Sequence, residues 1–259
     1  MKNALTVDLE EWHDTVLFRK KPAGAAGNFL RNVDDILALL ERRRVKATFF
    51  MLGRLALAYP SAARSIVSAG HELASHGHEH RALWRLTAEE FSADLARSRA
   101  ALKAAAGTEP AGYRSPTWSL KGRAAEFLPL IRAAGFAYDS SLYGLGPGAA
   151  RGPYEIIPGL TEFPPSVFRL CGAGFPFLGG TFLRWAGLDF LKARTAGLNS
   201  AGLPALLYFH SWEFDPAPPA GLPYYKRAVQ YYNVKSVPVK AEALLEAFNW
   251  APVRELLKT

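Results

Sequence analysis

The chain predicts an α/β fold with a mainly parallel sheet, on two observations. Short β-prone apolar runs alternate with longer stretches whose apolar residues recur at helical spacing. Residues that carry chemistry cluster just after the strand-like runs, where the site-bearing loops of parallel α/β folds emerge.

Residues 4–9 read as the first strand. Residues 29–45 read as a helix, with Leu30, Val33, Ile36, Leu37 and Leu40 on one stripe and Arg42-Arg43-Arg44 in a last turn that suits the helix dipole. Residues 46–52 are apolar and β-prone, a second strand. Residues 61–69 form a short helix stopped by Gly70, and 72–75 a third strand. A Thr87-x-x-Glu90 capping box opens a helix over 87–106. Brief strands at 112–114 and 136–139 flank a helix at 122–134, a strand follows at 205–210, and a helix at 239–248 ends the pattern. Such alternation fits an open sheet or a barrel. Residues 143–185 break the rhythm with Gly144, Gly146, Pro147, Gly148, Gly152, Pro153, Pro164, Pro165, Gly179 and Gly180, the composition of a binding loop or lid.

At 259 residues, 49% hydrophobic and 21% charged, the chain is too apolar for disorder and of a length that one α/β barrel fills. One catalytic domain over 1–259 is expected. The formal charge of +8 (31 Lys+Arg against 23 Asp+Glu) favours anionic partners. Its cations are dispersed, with only short runs such as Arg19-Lys20-Lys21, and no nucleic-acid module accompanies them, so no nucleic-acid partner is expected. A peripheral contact with the inner membrane surface suits the same charge, and no obligate protein partner is predicted. The single cysteine, Cys171, excludes an intramolecular disulfide and a cysteine-based metal site. Met1-Lys2-Asn3 leads straight into the first strand without an apolar leader, and no window reaches the roughly 20 apolar residues of a spanning helix. A cytoplasmic enzyme is the expectation.

Four of the six histidines fall within His71-Glu-Leu-Ala-Ser-His76-Gly-His78-Glu-His80. His76 and His80 are four apart, a spacing that on a helical turn presents both imidazoles to one divalent ion. The end of the first strand offers Asp8-Leu9-Glu10-Glu11. Strand alternation puts Asp8 and Glu10 on one face, which supplies one metal ligand and one free carboxylate to take a proton from water. His210 ends the strand at 205–210, placed as a general acid for a leaving amine. Arg114, after another strand, can hold the free carboxylate ionised, and Asp139 can orient His210.

With these residues the chain resembles the polysaccharide deacetylases of the NodB-homology type, the family-four carbohydrate esterases. The motifs run in the family's order from Thr6 to His210: Thr6-Val7-Asp8 with Leu9-Glu10, His76-Gly77-His78-Glu79-His80, Arg114-Ser115-Pro116, Asp139-Ser140-Ser141-Leu142 and Leu207-Tyr208-Phe209-His210. The resemblance is closest to the exopolysaccharide-locus, exosortase-associated subgroup, through Gly179-Gly180-Thr181-Phe182-Leu183-Arg184 and His210-Ser211-Trp212-Glu213-Phe214-Asp215-Pro216. It implies a distorted (β/α) barrel with mainly parallel strands, and one divalent metal ion, zinc first, on His76, His80 and either Glu10 or Glu11, with strand alternation favouring Glu10. It also implies Asp8 as base, His210 as acid with Asp139 behind it, and hydrolysis of an N-acyl group, in the first instance acetyl, on an amino sugar. Trp118, Arg184 and Trp212 are candidate substrate contacts.

Three departures bear on this. The family's adjacent Asp-Asp is here Asp8-Leu9-Glu10, Gly77 replaces a Ser or Thr, and the fourth motif lacks a second Asp and a Trp. Rival readings are a deformylase or deacylase of a lipid-linked or small sugar, a cyclic-amide hydrolase, and a non-catalytic glycan-binding relative.

Overall fold

The computed structural model describes residues 1–15, 18, 27–145, 151–215, 217 and 222–257. The Arg19-Lys20-Lys21 run, Gly146, Pro147, Gly148 and Pro216 lie outside the described residues. In chain order the elements are β1 (Lys2–Leu9), α1 (Phe29–Arg43), β2 (Thr48–Met51), α2 (Gly53–Ala58), α3 (Pro60–Ser68), β3 (Glu72–Ser75), α4 (Ala88–Ala106), β4 (Gly112–Tyr113), α5 (Ala124–Ala133), β5 (Tyr138–Asp139), β6 (Tyr154–Ile157) and β7 (Leu160–Glu162). They continue with β8 (Val167–Leu170), β9 (Ala173–Pro176), α6 (Gly180–Trp185), α7 (Leu188–Ser200), β10 (Leu206–His210), α8 (Tyr224–Gln230), α9 (Ser236–Ala247), β11 (Asn249–Ala251) and α10 (Val253–Leu256).

One nine-stranded sheet runs β10-β1-β2-β3-β4-β5-β7-β6, with β11 also paired to β1. Every pairing is parallel except β6 with β7. The sheet curls into a half-barrel, an α/β fold of the expected kind. Both ends of the chain contribute to it, since β1 is flanked by β10 and β2 in register, with Asp8 opposite both His210 and Phe50.

The two-residue period of each strand divides the protein into two layers. Leu5, Val7 and Leu9 of β1, with Phe49 and Met51 of β2 and Leu207 and Phe209 of β10, point outward into a large core. There they meet Val33, Ile36 and Leu40 of α1, Ile66 of α3 and Val237, Ala241 and Leu244 of α9. The alternate residues face into the curl, where Ala4, Phe50, Ala74, Tyr138, Leu206 and Tyr208 pack together. Their neighbours Thr6 and Asp8 are buried on this inner face as well. The N-terminus of α10 closes the bottom of the curl: the Val253 N–H donates to Thr48 Oγ1 and the Arg254 N–H to the buried Glu72 carboxylate.

The capping box is present, with Glu90 N–H donating to Thr87 Oγ1 and Thr87 N–H to Glu90 Oε2. Residues 143–185 differ from the expected irregular loop. They hold two antiparallel hairpins, β6–β7 and β8–β9, and the short helix α6; their glycines and prolines sit mainly between these elements. Helices α2, α7 and α8 and strand β11 are also additions, short or weakly amphipathic segments that only packing selects.

A side chain at position 112 has no room, because a Cβ there overlaps the Tyr138 ring, whose hydroxyl is tied to Glu72 at 3.0 Å. Gly112→Ala is therefore expected to lose about 1–3 kcal/mol in urea denaturation. Gly197→Ala, in α7 with open space at the Cβ, is expected to be neutral or to gain up to about 1 kcal/mol in the same assay.

Candidate active site

The inward residues at the C-terminal ends of β1, β3, β4 and β10 converge on one cluster. Glu10, His76 and His80 offer ligand atoms that all lie within 4.8 Å of one another. Glu10 Oε2 is 2.6 Å from His80 Nε2 and 3.8 Å from His76 Nε2. Glu11, the alternative carboxylate, turns away to His13 at 3.3 Å and Arg54 at 3.9 Å. Strand parity accounts for the choice.

Each candidate ligand is held from behind. His76 Nδ1–H donates to the Arg114 carbonyl at 2.9 Å, which selects the tautomer that leaves Nε2 free toward Glu10. Trp212 Nε1–H donates to Glu10 Oε1 at 3.1 Å, and Ser211 brackets the Glu10 backbone by accepting from its N–H and donating to its C=O. Burial opposes ionisation of Glu10, but the charges of His80 and His210 and the hydrogen bond from His80, with the His76 ring close by, together hold its carboxyl well below the usual range. Burial likewise opposes the charge on His80, and Glu10 more than offsets it, raising its pKa.

The histidine loop does not make the helical turn expected from the four-residue spacing. Residues 77–80 form a bend in which Gly77 has φ +79° and His80 φ +55°. That left-handed backbone accounts for glycine at position 77. Asp94 of α4 accepts from the His78 N–H at 2.8 Å, and the N–H groups of Gly53 and Arg54 at the start of α2 donate to the carbonyls of Gly77 and His78.

Beside the ligands, Asp8 Oδ1 accepts from Arg114 Nη1 at 2.7 Å. Arg114 has no solvent exposure and also donates to Thr6 Oγ1, the Ser140 carbonyl and Ser140 Oγ. His210 stands across Glu10, its Nε2 at 3.9 Å from Glu10 Oε1. Half-buried Trp118 lies over the Arg114 guanidinium at 4.8 Å and against Tyr143 and Tyr208, whose hydroxyls are 3.0 Å apart.

Three expected roles change. Asp139 does not reach His210. It is five strands along the sheet from β10, and its carboxylate is engaged by Ser141 and by the buried Glu162. The partner of His210 is Glu213, whose Oε2 accepts from both the Nδ1–H and the backbone N–H of His210 at 2.9 Å. Glu213 lies three residues beyond His210 in the motif already noted, and a one-turn 3-10 helix over Ser211–Phe214 folds it back. Arg184 is not a surface contact for substrate: it is buried, 3.2 Å from Glu213, and donates to Thr181 and to the Gln230 carbonyl. Trp212 is likewise buried, stacked on the His210 ring and committed to Glu10.

Burial disfavours the His210 cation, yet Glu10, Glu213 and Asp8 outweigh it and push the pKa up to about 9. Burial raises the Asp139 carboxyl to about 6 and, with the Asp139 charge beside it, moves Glu162 well above the usual range. These two carboxyls share a proton.

Comparison with known proteins follows the same lines. Residues 26–138 match the family model described as polysaccharide deacetylase, and residues 135–258 one described as a domain of unknown function, DUF3473. Over 110 residues the chain is 32% identical to a peptidoglycan deacetylase of Helicobacter pylori, a match covering 42% of this chain and 36% of that protein. It is 32% identical over 90 residues to a peptidoglycan-N-acetylglucosamine deacetylase of Bacillus cereus, covering 35% and 33%. The chain thus spans little more than a third of these relatives. A candidate polysaccharide deacetylase of Mycobacterium smegmatis superposes with a TM-score of 0.70 at 24% identity, over 98% of this chain and 88% of the other. A family-four carbohydrate esterase pseudoenzyme of Bacillus anthracis superposes at 0.56 and 15% identity, over 99% and 65%. Both likenesses concern the fold.

Two outcomes test these assignments. In metal-free protein, Glu213→Gln should bring the His210 pKa down from about 9 toward its ordinary value, read by NMR titration of the ring. The proton held by Asp139 and Glu162 stabilises the fold at low pH, and that contribution is lost as pH rises from about 4, where unfolded carboxyls titrate, through about 6. Glu162→Gln should flatten this decline, so that its stability relative to wild type improves from pH 5 to pH 8 in denaturant titrations.

Proposed function

We propose that this chain is a metal-dependent carbohydrate N-deacylase, in the first instance an N-deacetylase, on the premise that family model, relatives' names and structural neighbours support the polysaccharide deacetylase family. The observation that carries the reading is the convergence of Glu10, His76 and His80 beside a carboxylate, Asp8, on one side and His210 on the other.

The donor set of two imidazoles and one carboxylate fits a divalent ion, zinc first, and leaves room for water and substrate. When bound on Glu10, His76 and His80, such an ion supplies Lewis acidity to an acyl oxygen and acidifies water. The side chains do the rest. Asp8, oriented by Arg114, accepts a proton from the attacking water as its oxygen bonds to the acyl carbon. His210, with Nδ1–H engaged by Glu213, directs Nε2–H at the departing nitrogen and donates its proton as the C–N bond breaks, leaving a free amine and a carboxylate. Trp118, set beside Arg114 and edged by Tyr143 and Tyr208, offers a face for a sugar ring.

Acetate and formate release from short N-acylated sugars and from lipid-linked sugars, joined to elemental analysis, tests the reading. Asp8→Asn and His210→Ala should each lower kcat by about 10²–10⁴-fold with metal still bound. His76→Ala should lose both metal and turnover. Undiminished turnover in Asp8→Asn would sink the assignment of the base, and bound metal without release from any acylated sugar would favour the glycan-binding relative.

A further inference from the structure

Beyond the metal site, helix α8 is turned inside out. Of its seven residues only Gln230 is buried, while Tyr224 is 85% exposed, Tyr225 64% and Val229 58%; Tyr232, just beyond, is 56% exposed. Aromatic area of this size at the surface marks a contact site when it is contiguous and concave. Here it is both. Tyr224, Arg227, Tyr231, Tyr232, Asn233 and Lys235 line a groove of about 430 Å³.

The groove is cationic. Residues 222–241 contain Lys226, Arg227, Lys235 and Lys240 and no Asp or Glu. Lys226 rests on the Phe18 ring and Lys240 donates to three backbone carbonyls, which leaves Arg227 and Lys235 as the exposed cations of the groove. One nearby carboxylate, Asp215, approaches Tyr231 and accepts from Asn28.

A relay of buried contacts also runs from the groove wall to the site. Tyr231 forms one of its walls and packs on Trp212, the donor to Glu10, at 5.7 Å. Gln230 donates to the Trp12 carbonyl and accepts at its own carbonyl from Arg184, the partner of Glu213.

We infer that this groove binds an anionic glycan, a chain bearing uronate or phosphate groups whose neighbouring acylated sugar enters the metal site. The inference rests on the deacylase reading for its second half only. Tyrosine faces stack on sugar rings, Arg227 and Lys235 pair with the acidic groups, and concavity favours a chain over the flat surface of a bilayer.

Calorimetric titration with tetragalacturonic acid and with neutral cellotetraose, neither carrying an acyl amide, tests it on the full chain and on the His76→Ala variant. The acidic tetramer should bind more tightly than the neutral one in both proteins, which separates groove binding from catalysis. Arg227→Ala with Lys235→Ala, and separately Tyr232→Ala, should each weaken it by about tenfold or more, whereas the exposed Arg64→Ala on α3 should not. Equal binding of both tetramers, or affinity unmoved by the groove variants, overturns the proposal. So does loss, in those variants, of binding to phosphatidylglycerol vesicles or of self-association in place of glycan binding. Groove binding without any deacylation would retain this site and reject the reading of the metal centre.

Discussion

The Arg114 guanidinium, fully enclosed within the curl of the sheet, is the constraint on which the site depends. A buried cation is tolerable only when an anion and several acceptors surround it. Asp8 and Thr6 of β1 and both oxygens of Ser140, just beyond β5, meet that need, and the Phe50 ring lies under the charge at 4.1 Å. One side chain thereby ties the first strand to the fourth and fifth, and its backbone carbonyl orients His76. The geometry of Asp8, the proposed base, and of His76, a candidate ligand, follows from the same residue.

A second line of contacts leads outward from the candidate ligands. Glu10 is held by Trp212, Trp212 stacks on His210, His210 is paired with Glu213, and Glu213 with Arg184. Arg184 then reaches the backbone of Gln230 at the end of α8. The acid of the proposed reaction is thus set by residues of the C-terminal half, while base and ligands come from the N-terminal half. The two family models meet near residue 135, with His76 and His80 in the first match and His210 in the second, while Asp8 and Glu10 precede both. A single sheet receives strands from both.

Much of this was legible in the chain. Strand parity put Asp8 and Glu10 on one face and Glu11 elsewhere, and the structure keeps that arrangement because β1 is in register with both neighbours. The four-residue spacing of the histidine pair suggests a helical turn, whereas Gly77 and His80 close a left-handed bend that still brings both rings together. Motif order carries no distance, so it does not reveal that Asp139 lies five strands from His210. The hairpins of residues 143–185 were hidden by their Gly and Pro content, since antiparallel pairing is a non-local property.

What the sequence determined by itself is the alternation of strands and helices and the list of residue types able to bind metal and move protons. Both are encoded locally, in periodicity and side-chain chemistry. The tertiary structure alone decided who stands behind whom: Glu213 rather than Asp139 at His210, Arg184 and Trp212 turned inward, and α8 turned outward. Such partnerships depend on which strands become neighbours when the sheet curls and on which charges burial forces together, and neither is a property of any short stretch of chain.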